Sequence, residues 1–176
     1  MRRLYRASRR GAEGDRCDLC AEPLASDHEH LFAPRERALA CVCAGCALIQ
    51  IARYRRVPKR FTPVAIDSRA LLAMLGVPVG VAAILVHEDG RKVVTYPGPA
   101  GLVEAALDEE LADMPPLEPE VEALVCSSLA GGGAWIAGID IVFELIGELR
   151  RHWRGLTGGA EAPAAIARVL ATHGAR

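Results

Sequence analysis

Two stretches of the chain repeat one pattern of apolar and polar positions. Val79 to His87 is a nearly unbroken apolar, β-branched run, and Arg91 to Tyr96 reads as a second strand. Glu88-Asp89-Gly90 between them supplies a hairpin turn, because glycine after Asp accepts the positive φ such turns require. Pro97-Gly98-Pro99 ends that strand, and Leu102 to Leu111 then spaces its apolar residues as an amphipathic helix, broken by Met114-Pro115-Pro116. Further on, Val121 to Ser127 and Ala134 to Ala137 read as strands joined by Gly131-Gly132-Gly133. Asp140 is placed to cap a long helix, Ile141 to Arg154, closed by Gly155. Residues 79–111 and 121–154 thus both read strand, turn, strand, helix.

Two shorter helices complete the pattern. Ser68 can cap one that runs to Leu75, where Gly76 and Pro78 stop it. The other runs from about Pro163 to Ala171, with the proline in its favoured first turn. The expected body, residues 64–176, is α+β: a four-stranded, mostly antiparallel sheet with helices packed on one face.

The N-terminal third follows another logic. Residues 1–14 are rich in Arg and Gly without periodicity and read as a mobile basic arm. Residues 15–50 form a cysteine-bearing module, and 51–63 a basic connector containing Arg55 and Arg56. Within the module, Glu29 to Ala33 and Ala38 to Val42 can form a β-hairpin around Pro34-Arg35-Glu36-Arg37.

Hydrophobic residues make up 51% and charged residues 24% of the 176, which excludes a disordered chain. The net charge of -1 divides into +6 over residues 1–60 and -7 over residues 61–176. A basic head on an acidic body points to an anionic partner, or to contact between head and body or between copies of the chain. The residues after Met1-Arg2-Arg3 lack the apolar stretch of a signal peptide. The apolar run from Gly76 to Val86 falls well short of the ~20 residues a spanning helix needs. A cytoplasmic protein without membrane insertion is expected, and in that reducing compartment clustered cysteines read as metal ligands.

Five of the six cysteines lie within thirty residues, as Cys17-x2-Cys20 and Cys41-x-Cys43-x2-Cys46, with His28 and His30 between the groups. Thiolates a knuckle apart reach one ion from a single tight turn, and two such knuckles complete a tetrahedron. Cys17, Cys20, Cys43 and Cys46 on a hairpin describe a zinc ribbon, with Gly45 free to take a special turn conformation. Iron is the alternative, since four thiolates also describe a rubredoxin-like electron carrier. Neither knuckle carries the flanking Pro, Gly and aromatic residues that would shield such an iron, which favours zinc. Cys41, His30 and His28 are surplus donors. Cys41 would share a strand face with Cys43, and His28 would share one with His30. Three arrangements stay open: four thiolates alone, three thiolates with His30, or a second ion on His28, His30 and Cys41.

The ribbon is followed by Tyr54-Arg55-Arg56-Val57-Pro58-Lys59-Arg60-Phe61. The end of the chain carries Ile139-Asp140, Glu144-Leu145-Ile146-Gly147, Leu149-Arg150 and Trp153-Arg154-Gly155-Leu156-Thr157-Gly158-Gly159. In these features the chain resembles a bacterial family of unknown function, found largely in actinobacteria, whose genes often lie within clusters for high-affinity NiFe hydrogenases. The resemblance extends from Cys17 to Ala171. Phe143 stands where a tyrosine is expected. The resemblance implies a hydrogenase-associated accessory protein with no assigned activity.

Other candidates carry less. Arg55, Arg56, Trp153 and Arg154 are candidates for contact with a protein partner, although Trp153 also fits the apolar stripe of Leu145, Ile146 and Leu149. The glycine triplet lacks the Lys-Ser/Thr of a phosphate loop. Cys126 reads as an inert core thiol. His87, His152 and His173 have no sequence neighbours that suggest a catalytic triad, and Asp108-Glu109-Glu110 and Glu118-x-Glu120-x-Glu122 read as solvated faces. No active site stands out. Nucleic-acid binding is the rival function, with arginines on phosphates and Tyr5, Tyr54 and Phe61 stacking on bases.

Overall fold

The structure, a computed structural model, describes residues 16–98, 101–107, 111, 114–129, 132–152, 159 and 161–174. The chain divides into two compact units between Pro58 and Lys59. The arm, Asp108-Glu109-Glu110, Trp153 and Arg154 lie outside the described residues.

In the first unit, β1 (Glu29–Ala33) and β2 (Ala38–Val42) form an antiparallel hairpin in register from Glu29↔Val42 to Ala33↔Ala38. β3 (Arg55–Arg56) lies on the other edge of β1, giving the order β2-β1-β3. A single helical turn, α1 (Ala44–Ala47), follows β2 directly. Strand alternation sends Leu31, Ala40 and Val42 to one face, where they pack with Cys17, Cys46 and Ala47. That core is small and two of its six members, Cys17 and Cys46, are cysteines of the two knuckles. Units this short need a metal or another staple to fold alone.

Among the described residues, the second unit is built on six strands: β4 (Phe61–Val64), β5 (Val81–Val86), β6 (Lys92–Gly98), β7 (Gly101–Ala106), β8 (Glu122–Ser127) and β9 (Gly133–Gly138). Their order is β4-β9-β8-β5-β6-β7, antiparallel throughout. The helices described with them are α2 (Ser68–Met74), α3 (Ile139–His152) and α4 (Glu161–Gly174). The four expected strands are the central ones, and the sheet gains two edges. Leu102 to Ala106, expected as helix, is strand β7, in register with β6 from Gly98↔Gly101 to Val93↔Ala106. Over so short a run, apolar spacing does not separate the two periods. The open edge of β6 offers a hydrogen-bond ladder that decides between them. Phe61 to Val64, of which Phe61 to Pro63 fell within the expected connector, pairs with β9. With Leu102 to Ala106 in a strand, the strand-turn-strand-helix repeat holds only for the second half.

Helices cover both faces rather than one. Leu71 and Leu72 of α2 pack with Ala82, Ile84, Val94, Leu124 and Cys126. Residues of opposite parity, Val81, Ala83, Thr95 and Val125, line a narrow space against Val142, Leu145 and Leu149 of α3. All six residues of β8 are buried, which requires cover on both sides. Within that space Thr95 Oγ1 is buried without a hydrogen-bond partner among the described residues. Thr95→Val removes this unpaired hydroxyl at nearly constant volume. The variant is expected to be about 1 kcal/mol more stable in urea unfolding.

Two expected caps differ. Asp67, not Ser68, caps α2 and accepts the Ala70 amide at 3.0 Å. Ser68 Oγ instead donates to the Ser127 carbonyl at 2.7 Å and accepts the Gly133 amide at 3.2 Å, tying the helix start to two strand ends. α3 begins one residue before Asp140, which therefore sits inside the first turn and still favours the helix dipole there. Nor are the glutamates after Glu118 a solvated face. Glu122 is buried, accepts the Glu118 amide and pairs with Arg60 at 3.2 Å. Glu120, at φ 68°, receives the Glu88 amide and His87 Nδ1.

Candidate metal centre

The two knuckles are built differently. In the first, the Ala21 amide donates to the Cys17 carbonyl at 2.8 Å, and Ala21 takes φ 62° so that the chain can turn back. A non-glycine residue in that region marks a constrained turn. In the second, Cys43 caps α1, and its Sγ accepts the Cys46 amide at 3.4 Å. Gly45 lies inside that helical turn without a positive φ, so the special conformation expected of it falls to Ala21 instead.

Together the knuckles bring Sγ of Cys17, Cys20, Cys43 and Cys46 within 4.8 Å of one another. Cys20 and Cys43 are 3.7 Å apart, and all four thiols are free. Tetrahedral zinc with Zn–S bonds of about 2.3 Å sets its sulfurs about 3.8 Å apart. A disulfide, at about 2.05 Å, is a different arrangement. The donor set and its spacing therefore fit one tetrahedral cation such as zinc or iron. Cys17 and Cys46 are buried while Cys20 is exposed, so the cage has one wall toward solvent.

Protons make such a cage unfavourable until a cation enters. Burial pushes the Cys17 thiol up, but the backbone amides of Cys43, Cys20 and Leu19 outweigh it and bring it down to about 6. Cys46, facing the Cys20 sulfur, buried and beside Cys43 and Cys17, is pushed up to about 12. One sulfur is prepared as a thiolate and another is held as a thiol by the crowd around it. A cation removes that conflict by neutralising all four.

The surplus donors separate from the cage. β2 ends at Val42, so the strand face expected to join Cys41 to Cys43 does not reach Cys43. Cys41 stands opposite His30 across the hairpin, and His28, His30 and Cys41 bring their ligand atoms within 4.8 Å of one another. The histidine rings meet edge to face, with centroids 4.8 Å apart.

Elsewhere, Arg55 and Arg56 are exposed on β3, and Arg56 pairs with Glu29 at 2.9 Å. Phe61 stacks on Trp135 at 5.7 Å, where its ring serves the fold. Burial pushes Cys126 up to about 12, which leaves it unreactive. Histidine–glutamate pairs that lie far apart in sequence are visible only here: His87 with Glu120 at 3.0 Å and His173 with Glu144 at 2.9 Å. No helix among the described residues is long and apolar enough to cross a membrane. A family model described as a family of unknown function, DUF5947, matches residues 16–176. No curated protein and no solved structure matches the chain.

Proposed function

The chain belongs to the DUF5947 family of unknown function, and from its sulfur cage we propose that it is a non-enzymatic zinc-ribbon accessory protein. The observation that carries this reading is the convergence of four free thiols to the spacing of one tetrahedral ion. Four thiolates leave that ion no open position, so it orders the ribbon instead of activating a substrate. The work of the protein then lies in what the ordered surface presents to a partner.

The partner is a metalloenzyme whose assembly, maturation or electron supply the protein assists. The resemblance to a family encoded beside NiFe hydrogenases makes that enzyme the first to test. Arg55 and Arg56, exposed on the edge strand β3, together with Trp153 and Arg154, would make the contact. Natively expressed protein is expected to be colourless, to contain zinc, and to bind purified NiFe hydrogenase directly. Replacing both arginines, Arg55→Glu with Arg56→Glu, should weaken that binding at least tenfold. A visible iron spectrum in anaerobically purified protein would favour an electron carrier. Absence of any binding by zinc-loaded protein would remove the hydrogenase reading, and a salt-dependent shift of DNA or RNA would replace it.

A further inference from the structure

We propose that His28, His30 and Cys41 form a second, exchangeable site for a borderline divalent cation of the zinc, cobalt and nickel class. The hairpin register creates it: His30 and Cys41 are cross-strand partners, and His28 stands two residues before His30. The three ligand atoms lie within 4.8 Å of one another, and all three residues are half-buried.

A second observation points to a ligand. His28 Nδ1 lies 2.9 Å from the Ala25 carbonyl, which can only accept, so Nδ1 carries the proton. In the neutral imidazole the lone pair then lies on Nε2. That atom is buried and has no hydrogen-bond partner among the described residues. An imidazole with one nitrogen fixed by a backbone carbonyl and the other left without a hydrogen-bond partner is the arrangement of metal-binding histidines. Two imidazoles and a thiolate select a late first-row divalent ion over magnesium or calcium. Three protein ligands leave a fourth position for water or an incoming ligand, which is the property the four-thiolate cage lacks.

The two sites share a residue's backbone. Asp18, between Cys17 and Cys20, accepts the Cys41 amide on its carboxylate at 2.8 Å. Its own amide donates to the Cys41 carbonyl, also at 2.8 Å. The first knuckle therefore holds Cys41 in place, and the cage fills first. In this the inference rests on the cage being loaded.

Cobalt(II) titration of the chelator-stripped full chain under anaerobic, reducing conditions tests it. The wild type is expected to take two equivalents in two phases, the second at least tenfold weaker. The variant His28→Ala/His30→Ala/Cys41→Ser should keep the first phase and its thiolate-to-cobalt bands and lose the second. Saturation of the wild type at one equivalent, or a second equivalent surviving in the variant, overturns the proposal while sparing the cage. No cobalt uptake at all sinks both. Because three substitutions can disturb the hairpin, nitrogen NMR of the wild type gives an independent reading. The His28 Nε2 resonance should shift between one and two equivalents of zinc, and an unmoved resonance overturns the site.

Discussion

Stripping the cation with a strong chelator is expected to unfold residues 16–58 and leave the six-stranded sheet intact. Structural zinc in small domains carries an apparent binding free energy of about 10–16 kcal/mol at neutral pH, and that energy is folding energy. The first unit has little to set against its loss. Its main buried cluster is Leu31, Ala40, Val42 and Ala47 with two sulfurs that belong to the cage, and only Phe32, Ala33 and Val57 are buried besides among the described residues. The second unit has a separate core around Ile84 and Leu124 that contains no cage residue. Without the ion, the crowd of sulfurs holds Cys46 as a thiol beside the thiolate of Cys17, and nothing draws the knuckles together. Amide NMR spectra recorded before and after chelation read the result directly: dispersed signals from 16–58 collapse and those of the sheet remain. Cys17→Ser/Cys46→Ser should reproduce the collapse with metal present. Signals from 16–58 that stay dispersed in metal-free protein would refute the cage as the organising element.

Leu124→Ala is expected to cost about 2–5 kcal/mol of stability in the second unit. Leu124 is 1% exposed, lies on the central strand β8, and pairs with Ile84 on one side and Ile136 on the other. Truncation leaves a cavity between the sheet and α2 whose walls are held by two ladders and cannot close over it. Against a total of about 5–15 kcal/mol for an ordinary domain, such a loss is a large fraction of the whole. Urea unfolding of the full chain, followed by a probe of the second unit, measures it. Met74→Ala serves as the control, because Met74 is 64% exposed and its loss should lie within about 0.5 kcal/mol. A Leu124 effect no larger than that of Met74 would show that the core has been placed on the wrong face.

The knuckles and the hairpin between them were legible because their signals are local. A C-x2-C pair is one turn of backbone, and the strands on either side of Pro34 to Arg37 match the expected residues. The strands of the body were legible where apolar runs were long. Leu102 to Ala106 was not, because four apolar residues around Glu104 fit both periods and the neighbouring strand edge decided it. Glu122 was misread for a similar reason: Arg60, sixty-two residues away, gives its carboxylate a buried partner.

What the sequence settles unaided is chemistry within one turn of chain: which thiols pair into knuckles, where turns fall, which runs are apolar. Only the tertiary structure divides the seven donors into two clusters, because Val42 ends the strand and Cys43 turns away from Cys41 to cap a helix. Only it adds the two edge strands and places helices on both sides of the sheet. Hydrogen-bond ladders and buried faces are satisfied by whichever segment arrives beside them, and spacing along the chain does not record which one that is.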